Sequence, residues 1–390
     1  MLTREENETL TRVGKGAPAG ELLRRYWMPI ACAGELTGEK PIKAARILGE
    51  DLVVYRDQSG RYGVVGEQCP HRKASLAFGR VDAEGIRCPY HGWKFDGTGK
   101  CLEQPAEPSE SGFREKIKHT AYPAERLGGL IWTYLGPEPR PLLPRWDVLA
   151  WENGKRTVQK HEIYRCNWLQ PMENSVDPSH LYWLHGETAH LAPTVDHYEE
   201  DHEFIPFEFG IFKRRVTPGK KAGDPPVVDQ HPLLFPITLR HVFRERLLSG
   251  NLRHNLQIRV PVDDAHTQVY VVYFTPTEKD HSPADGDTPW EYFPIRDENG
   301  EYRLDQVLVQ DAMAWETQGA PTDRTQEHLG AGDEGIILLR KLLREQIDIV
   351  RNGGEPMGLV RDPIRNRLIE LDVINERIGL FGERPPQKVA

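Results

Sequence analysis

Two short cysteine–histidine pairs carry the first chemistry legible in this chain. Cys69-Pro-His71 is followed, after sixteen residues, by Cys88-Pro-Tyr-His91. Thiolates and imidazoles bind zinc and iron–sulfur clusters alike. One zinc ion would gather all four side chains into a tetrahedron. A [2Fe–2S] cluster would share them, two cysteines on one iron and two histidines on the other. Zinc sites favour Cys-x2–4-Cys with His-x3–5-His, so the interleaved order here points to iron.

A second constellation is the run Asn174-x-x-Asp177-x-x-His180-x4-His185. Asn174, Asp177 and His180 step by three along one face of a helix. On a regular helix the two histidines stand roughly 140° apart, so they share a metal only where the helix is distorted. Asp177 also fits a plainer role, the N-cap of a helix that begins with Pro178. Carboxylates that could complete a site lie downstream at Asp305, Asp311, Asp323 and Asp333. Asp333 fits a cap on the last helix, and Asp323 a loop residue paired with Arg324. His190, His197, His202 and His328 read as surface or structural histidines. Cys32, Cys101 and Cys166 read as packed thiols.

The elements that must hold these residues fall into two halves. At 390 residues, two domains are expected. Residues 5–28 read as helical, with Leu10, Leu22, Leu23 and Trp27 on the buried side. Gly14-Lys-Gly-Ala-Pro-Ala-Gly20 lacks the spacing of a dinucleotide loop and no strand precedes it. From Ile42 to Gly136 short strands alternate with turns, including Ala45–Leu48, Leu52–Tyr55 and a closing strand at Leu130–Leu135. Asp57-Gln-Ser-Gly60 and Asp96-Gly-Thr-Gly99 are hairpin turns. This is an all-β unit with both metal loops at hairpin tips. Four prolines in residues 136–144 form a stiff connector. Beyond it come a helix over 167–184 and strands at Phe209–Val216, Ile237–Phe243, Leu252–Val260 and Gln268–Phe274. A polar loop, Thr277–Thr288, and helices at Asp305–Thr317 and Glu334–Arg351 follow. The class is α+β, with an antiparallel sheet flanked by helices.

A net charge of −9 without a basic patch argues against nucleic acid. The polar N-terminus and strand-sized apolar runs argue against secretion and membrane insertion. Five unpatterned cysteines suit a reducing cytoplasm.

The strings Cys69-Pro-His-Arg and Cys88-Pro-Tyr-His-Gly-Trp93, the Asn174–His185 run and Leu22-Leu-Arg-Arg-Tyr-Trp-Met-Pro29 resemble the oxygenase (α) component of Rieske non-haem iron ring-hydroxylating oxygenases. The likeness runs over nearly the whole chain. Respiratory Rieske proteins carry an extra cysteine in each loop, where this chain has Ala74 and Tyr90. The oxygenase type is therefore implied, with a potential toward the low end of about −150 to +300 mV. The resemblance implies that Cys69, His71, Cys88 and His91 hold the cluster. It implies that His180, His185 and, by its sequence context, Asp311 hold a mononuclear Fe(II) where O2 reacts. Asp177, with Asn174 on the same face, would bridge that iron to the cluster of a neighbouring subunit in a head-to-tail homotrimer. The fold implied is helix-grip, or START-like. The implied division is 1–40, a helical segment packed on the catalytic half; 41–137, the Rieske domain; 138–145, the linker; and 146–390, the iron domain.

Electrons would come from a separate flavin/[2Fe–2S] reductase or a ferredoxin, since no nicotinamide or flavin unit is found. Phthalate 4,5-dioxygenase and the vanillate and dehydrodivanillate O-demethylases are the nearest types. An aromatic carboxylic acid is therefore the expected substrate, with O-demethylation ahead of dihydroxylation. Arg240, His241, Arg253 and His254, on strands expected to face the iron, are candidates for contacting it. A Rieske electron carrier and a zinc-stabilised binding protein are the other readings. An intact Asp177/His180/His185 set is what a mere carrier does not need.

Overall fold

The computed structural model describes residues 1–185, 201–217, 223–244 and 252–375. In the β half, Ile42–Ile47 and Glu50–Arg56 pair through Leu48-Gly49, whose φ values of 51° and 77° give the mirror-image turn that matches strand twist. Tyr62–Gly66 and Ala121–Tyr122 complete this sheet, and a second holds Arg80–Val81, Ile86–Arg87, Lys94–Phe95 and Cys101–Glu103. Both expected hairpin turns form, by one device. Asp57 Oδ1 accepts the N–H groups of Ser59 and Arg61, and Asp96 Oδ1 those of Thr98 and Lys100. Val53, Tyr55, Val65, Leu76, Ile86 and Phe95 form the core between the sheets, together with Cys69 and Cys88.

The N-terminal segment is not one helix. It forms α1 (Arg4–Thr11), α2 (Pro18–Leu23) and a strand, Met28–Cys32. Pro18 has no N–H to continue a helix and so begins one. Gly20 lets α2 lie against the preceding turn, where a Cβ would stand 2.3 Å from the Val13 carbonyl oxygen. Leu10, Leu22, Leu23 and Trp27 are buried as expected. Strand Leu130–Thr133 does not close the β unit. It pairs with Met28–Cys32 and Ala124–Leu127 in a sheet of its own. The proline-rich connector is tied down, because Pro141 O accepts the Trp27 indole N–H and Leu142 N–H bonds Val360 O.

The second half is built on a sheet of nine strands among the described residues. Its spatial order is Asp201–Phe207, Gly210–Thr217, Val227–Leu234, Thr238–Arg244, Leu252–Pro261, Thr267–His281, Asn153–His161 and Trp290–Phe293, with Ile374–Asn375 on Val227–Leu234. Every pairing is antiparallel except the last edge, where Asn153–His161 runs parallel to Trp290–Phe293. The expected loop at Thr277–Thr288 is strand up to His281, because Asn153 pairs there. Around the sheet stand α3 (Asp147–Ala150), α4 (Leu169–Asn174), α5 (His180–Leu184), α6 (Val307–Thr317) and α7 (Glu334–Arg351). Val309, Ala312 and Trp315 of α6 pack on Val269, Val271 and Tyr273, which fixes one sheet face against α6. No helix among the described residues is long and apolar enough to cross a membrane.

Candidate metal centres

The loops at Cys69 and Cys88 are near copies. In each, the cysteine N–H bonds the carbonyl five residues on, Ala74 or Trp93. In each, the N–H four residues on bonds back to the cysteine carbonyl. That fourth residue is left-handed both times, Lys73 at φ 63° and Gly92 at φ 74°. The repeated turn buries both thiols and sends His71 and His91 outward, with ring centroids 4.5 Å apart. Trp93 stacks flat on His71. Burial, with the Cys88 thiol beside it, pushes the Cys69 thiol up to about 12. A metal ion would displace that proton. No three of these four donors lie within 4.8 Å of one another, so they do not close on one tetrahedral ion. A buried thiol pair and an outer imidazole pair fit the divided ligation of a two-iron cluster.

At the second centre the helix expected over 167–184 breaks. Pro178 lacks the N–H that would bond the Asn174 carbonyl, which takes the Asp177 N–H instead. Asn174, Asp177 and His180 therefore do not share one continuous helix face. His185 lies just beyond α5 at φ −104°, ψ 2°. Freed from helical spacing, His180 and His185 meet edge to face with centroids 5.4 Å apart. Asp311, on the second turn of α6, places Oδ1 3.0 Å from His185 Nε2 and 3.8 Å from His180 Nε2. Among the described residues this is the group of three donors that could hold one metal ion.

The outer ring nitrogens also face acceptors, His185 at hydrogen-bond distance and His180 at ion-pair distance. Gln310 Oε1 lies 2.8 Å from His185 Nδ1, and Asp177 Oδ2 lies 3.6 Å from His180 Nδ1. Protons on both Nδ1 atoms leave both Nε2 lone pairs toward Asp311. Burial works against a charged His185, but Asp311 and Gln310 outweigh it and raise its pKa. Two imidazoles and a carboxylate on one side of a point fit Fe(II), with positions left for O2. No helix begins at Pro178 for Asp177 to cap, because α5 starts at His180 with Ser179 in the N-cap position, but Asp177 still ties the turn to His180. Its Oδ1 accepts the Ser179 N–H and hydroxyl while Oδ2 faces His180. Burial would raise its pKa, yet the contacts with His180 and Ser179 hold it well below the carboxylate range. Asn174 supplies a turn carbonyl and is not among the converging donors.

The other carboxylates are elsewhere. Asp305 is exposed, and Asp323 accepts from Thr325, while its expected partner Arg324 pairs with Glu173. Asp333 stands at the N-cap of α7 but accepts the Gly330 N–H rather than one from that helix. Glu173 also takes Arg340, both contacts at 2.6 Å, which bolts α4 to α7. Gln170 donates to the Trp315 and Gly319 carbonyls, which bolts α4 to α6. Removing one partner of so buried an ion pair costs about 3–5 kcal/mol. Sequence reasoning missed Gln310, Glu173 and Gln170 as supports. The signal was their closeness in sequence to Asn174 and to Asp311.

The Rieske [2Fe-2S] domain model matches residues 26–122. Over 98% of its length the chain is 38% identical to the 5,5'-dehydrodivanillate O-demethylase oxygenase subunit of Sphingobium sp. (strain NBRC 103272 / SYK-6), covering 89% of that protein. The chain belongs to the Rieske non-haem iron oxygenases. It is also 31% identical to the phthalate 4,5-dioxygenase oxygenase subunit of Pseudomonas putida, over 96% of this chain and 92% of that one. The solved structure of Pseudomonas putida CBB5 NdmA matches with a TM-score of 0.65, over 86% of this chain and 94% of that one. Its 21% identity makes that a likeness of fold. As an oxygenase component, the protein uses a Rieske cluster, a mononuclear iron and O2, and receives electrons from a separate transfer partner.

In this Rieske oxygenase the four substrate candidates divide by strand alternation. Register puts His241 beside Asn255 and Asn255 beside Tyr273, on the face covered by α6. Arg253, two residues from Asn255, shares that face, with its guanidinium 3.8 Å above the Tyr273 ring. Arg240 and His254 point to the other face. Arg240 forms a two-pronged pair with Asp147 of α3 and lies 2.9 Å from His254 Nδ1. Arg240 is thus fully committed to structure, and neither it nor His254 reaches the iron side. His202 is half-buried, His328 is exposed, and His190 and His197 lie outside the described residues. Cys32, Cys101 and Cys166 are buried free thiols.

Proposed function

We propose that this oxygenase acts on an aromatic carboxylic acid, removing an O-methyl group or, as the second reading, dihydroxylating the ring. In the same proposal a flavin/[2Fe–2S] reductase or a ferredoxin delivers the electrons, and three chains form a head-to-tail ring. Cys69 and Cys88 ligate one cluster iron, His71 and His91 the other, and His180, His185 and Asp311 the mononuclear iron. Asp177 and Asn174 line the route between subunits. The division into 1–40, 41–137, 138–145 and 146–390 belongs to this reading too, although the sheet joining Met28–Cys32 to Leu130–Thr133 ties the first two parts together.

The observation that carries the reading is the convergence of two imidazole Nε2 atoms and one Asp311 oxygen beneath a sheet face. Both relatives named above are oxygenase subunits whose names specify aromatic acids, which supports the substrate class. When bound, the mononuclear iron supplies O2 activation and the cluster supplies single electrons. The chain supplies the rest. Gln310 and Asp177 fix the tautomers of the ligating histidines. The Glu173 and Gln170 contacts hold α4 so that its turn presents His180 to α6.

The test is product analysis with NADH, an added reductase and a panel of vanillate, 5,5'-dehydrodivanillate, phthalate and benzoate. Formaldehyde release marks O-demethylation, and a cis-diol marks the second reading. Robust NADH oxidation by the chain alone, or equal turnover of naphthalene, contradicts the proposal. Asp177→Asn keeps the Oδ1 acceptor but sets an amide N–H2 against His180. Cluster spectrum and iron content should survive while single-turnover electron transfer slows by about 100-fold or more. A wild-type rate would reduce Asp177 to a turn residue.

A further inference from the structure

One row of side chains on the α6-covered sheet face is polar and lies between an ion pair and an apolar pair. Strand register sets Lys213 beside His231 and His241 beside Asn255. The two histidines join these halves by stacking, with centroids 4.1 Å apart. On one side of the row lies the Arg215–Asp229 ion pair. On the other side lie Leu233 and Leu239, apolar and buried.

The row between them is deeply buried and incompletely bonded. Lys213 is 6% exposed, Asn255 2% and His231 1%. His231 Nε2 and Asn255 Oδ1 have no hydrogen-bond partner among the described residues. The Lys213 ammonium has neither a hydrogen bond nor an ion pair among them. Its row runs through His241 and Asn255 to Tyr273, on the sheet face covered by α6, the helix that carries Asp311. Buried ammonium groups are nearly always paired. Burial, with Arg215 nearby, pushes this one down to about 7, which an incoming anion would reverse. His231 Nδ1 lies 3.5 Å from Asp229 Oδ1, an arrangement that leaves Nε2 as an acceptor.

We propose that this row is the anion subsite of the substrate pocket, with Lys213 receiving the carboxylate or phenolate oxygen of an aromatic acid and His231 Nε2 and Asn255 Oδ1 accepting from its hydroxyl groups. The inference rests on the aromatic-acid reading above and gives Lys213 the part once expected of Arg240. Lys213 is a specificity residue, and the reacting carbon is placed by the distance from this anchor to the iron.

Lys213→Met removes the charge at nearly constant length, and Lys213→Arg restores it. Titration calorimetry on the iron-loaded protein at neutral pH compares 4-methoxybenzoate, its neutral methyl ester and pentafluorophenol, a phenol that is ionised there. Lys213→Met should weaken 4-methoxybenzoate about 10- to 100-fold, leave the ester within about twofold, and be largely rescued by arginine. If the loss falls on pentafluorophenolate instead, the anchored oxygen is a phenolate and the subsite stands. Unchanged affinity of both anions in Lys213→Met overturns the subsite while leaving the aromatic-acid reading intact. A wild-type protein that binds neither anion overturns both. Iron and cluster content are measured alongside, and a variant that loses iron makes Lys213 a support of the metal site and overturns the proposal.

Discussion

The loops at Cys69 and Cys88 each complete their geometry within six residues, by turn hydrogen bonds repeated in both copies. The other centre joins His185 to a carboxylate 126 positions away and depends on α4, α6 and α7 being locked together. The first is exposed at His71 and half-exposed at His91, as a group that trades electrons with partners must be. The second is buried, as a site that excludes water must be. A centre made of local turns is independent of the rest of the chain. A centre made of distant segments inherits the stability of the scaffold between them.

The strongest way to break this contrast is to remove one centre at a time. Cys88→Ser should abolish the cluster's visible absorption yet leave the second site able to take iron. Asp311→Ala should do the reverse, and each should reduce turnover to background. Loss of both centres in either variant, followed by absorption and iron content, would show that they are not separately built.

A smaller effect sharpens the role of the scaffold. Gln310→Ala removes the acceptor for His185 Nδ1–H and should weaken iron binding about 10- to 100-fold in a chelator competition. The cluster should be untouched, since Gln310 does not contact it. Unchanged iron affinity would mean that packing alone orients His185.

The smallest effect is acid lability of the buried half. Burial pushes His161 down to about 3, and burial with Arg240 pushes His254 down to about 4. On unfolding, each regains an ordinary pKa of about 6.5 and takes up protons. Their stabilising contribution is complete above about pH 6.5 and fades as pH falls toward the folded values. At pH 5.5 each loses about 1.4 kcal/mol. Melting of the catalytic half should drop between pH 7.5 and 5.5, and less steeply in His161→Phe. An equal drop in that variant would remove His161 from the account.

The same contrast decides what the sequence made legible. Ligand strings of a local centre can be read directly, and so can α7, whose expected span Glu334–Arg351 is the observed one. Strands Asn153–His161, Asp201–Phe207 and Val227–Leu234 escaped notice because no alternation of apolar and polar residues marks them. In two of them, inward positions such as His161, Asp229 and His231 are buried and polar, so hydrophobic alternation fails where the sheet faces the site. Arg240 and His241 could not both face iron, since neighbours on a strand point apart. Thr277–His281 has a loop's composition but pairs through a partner far earlier in the chain. The break at Pro178 was visible as a proline, but its consequence, that His185 escapes helical spacing, needed the fold.

The claim that two different iron sites share this one chain is tested most directly by metal and sulfide analysis of the protein purified without oxygen. The account predicts about three iron atoms and about two acid-labile sulfides per chain, with Asp311→Ala falling to about two iron atoms and unchanged sulfide. Zinc in place of iron, or an iron count that does not respond to Asp311→Ala, would contradict it.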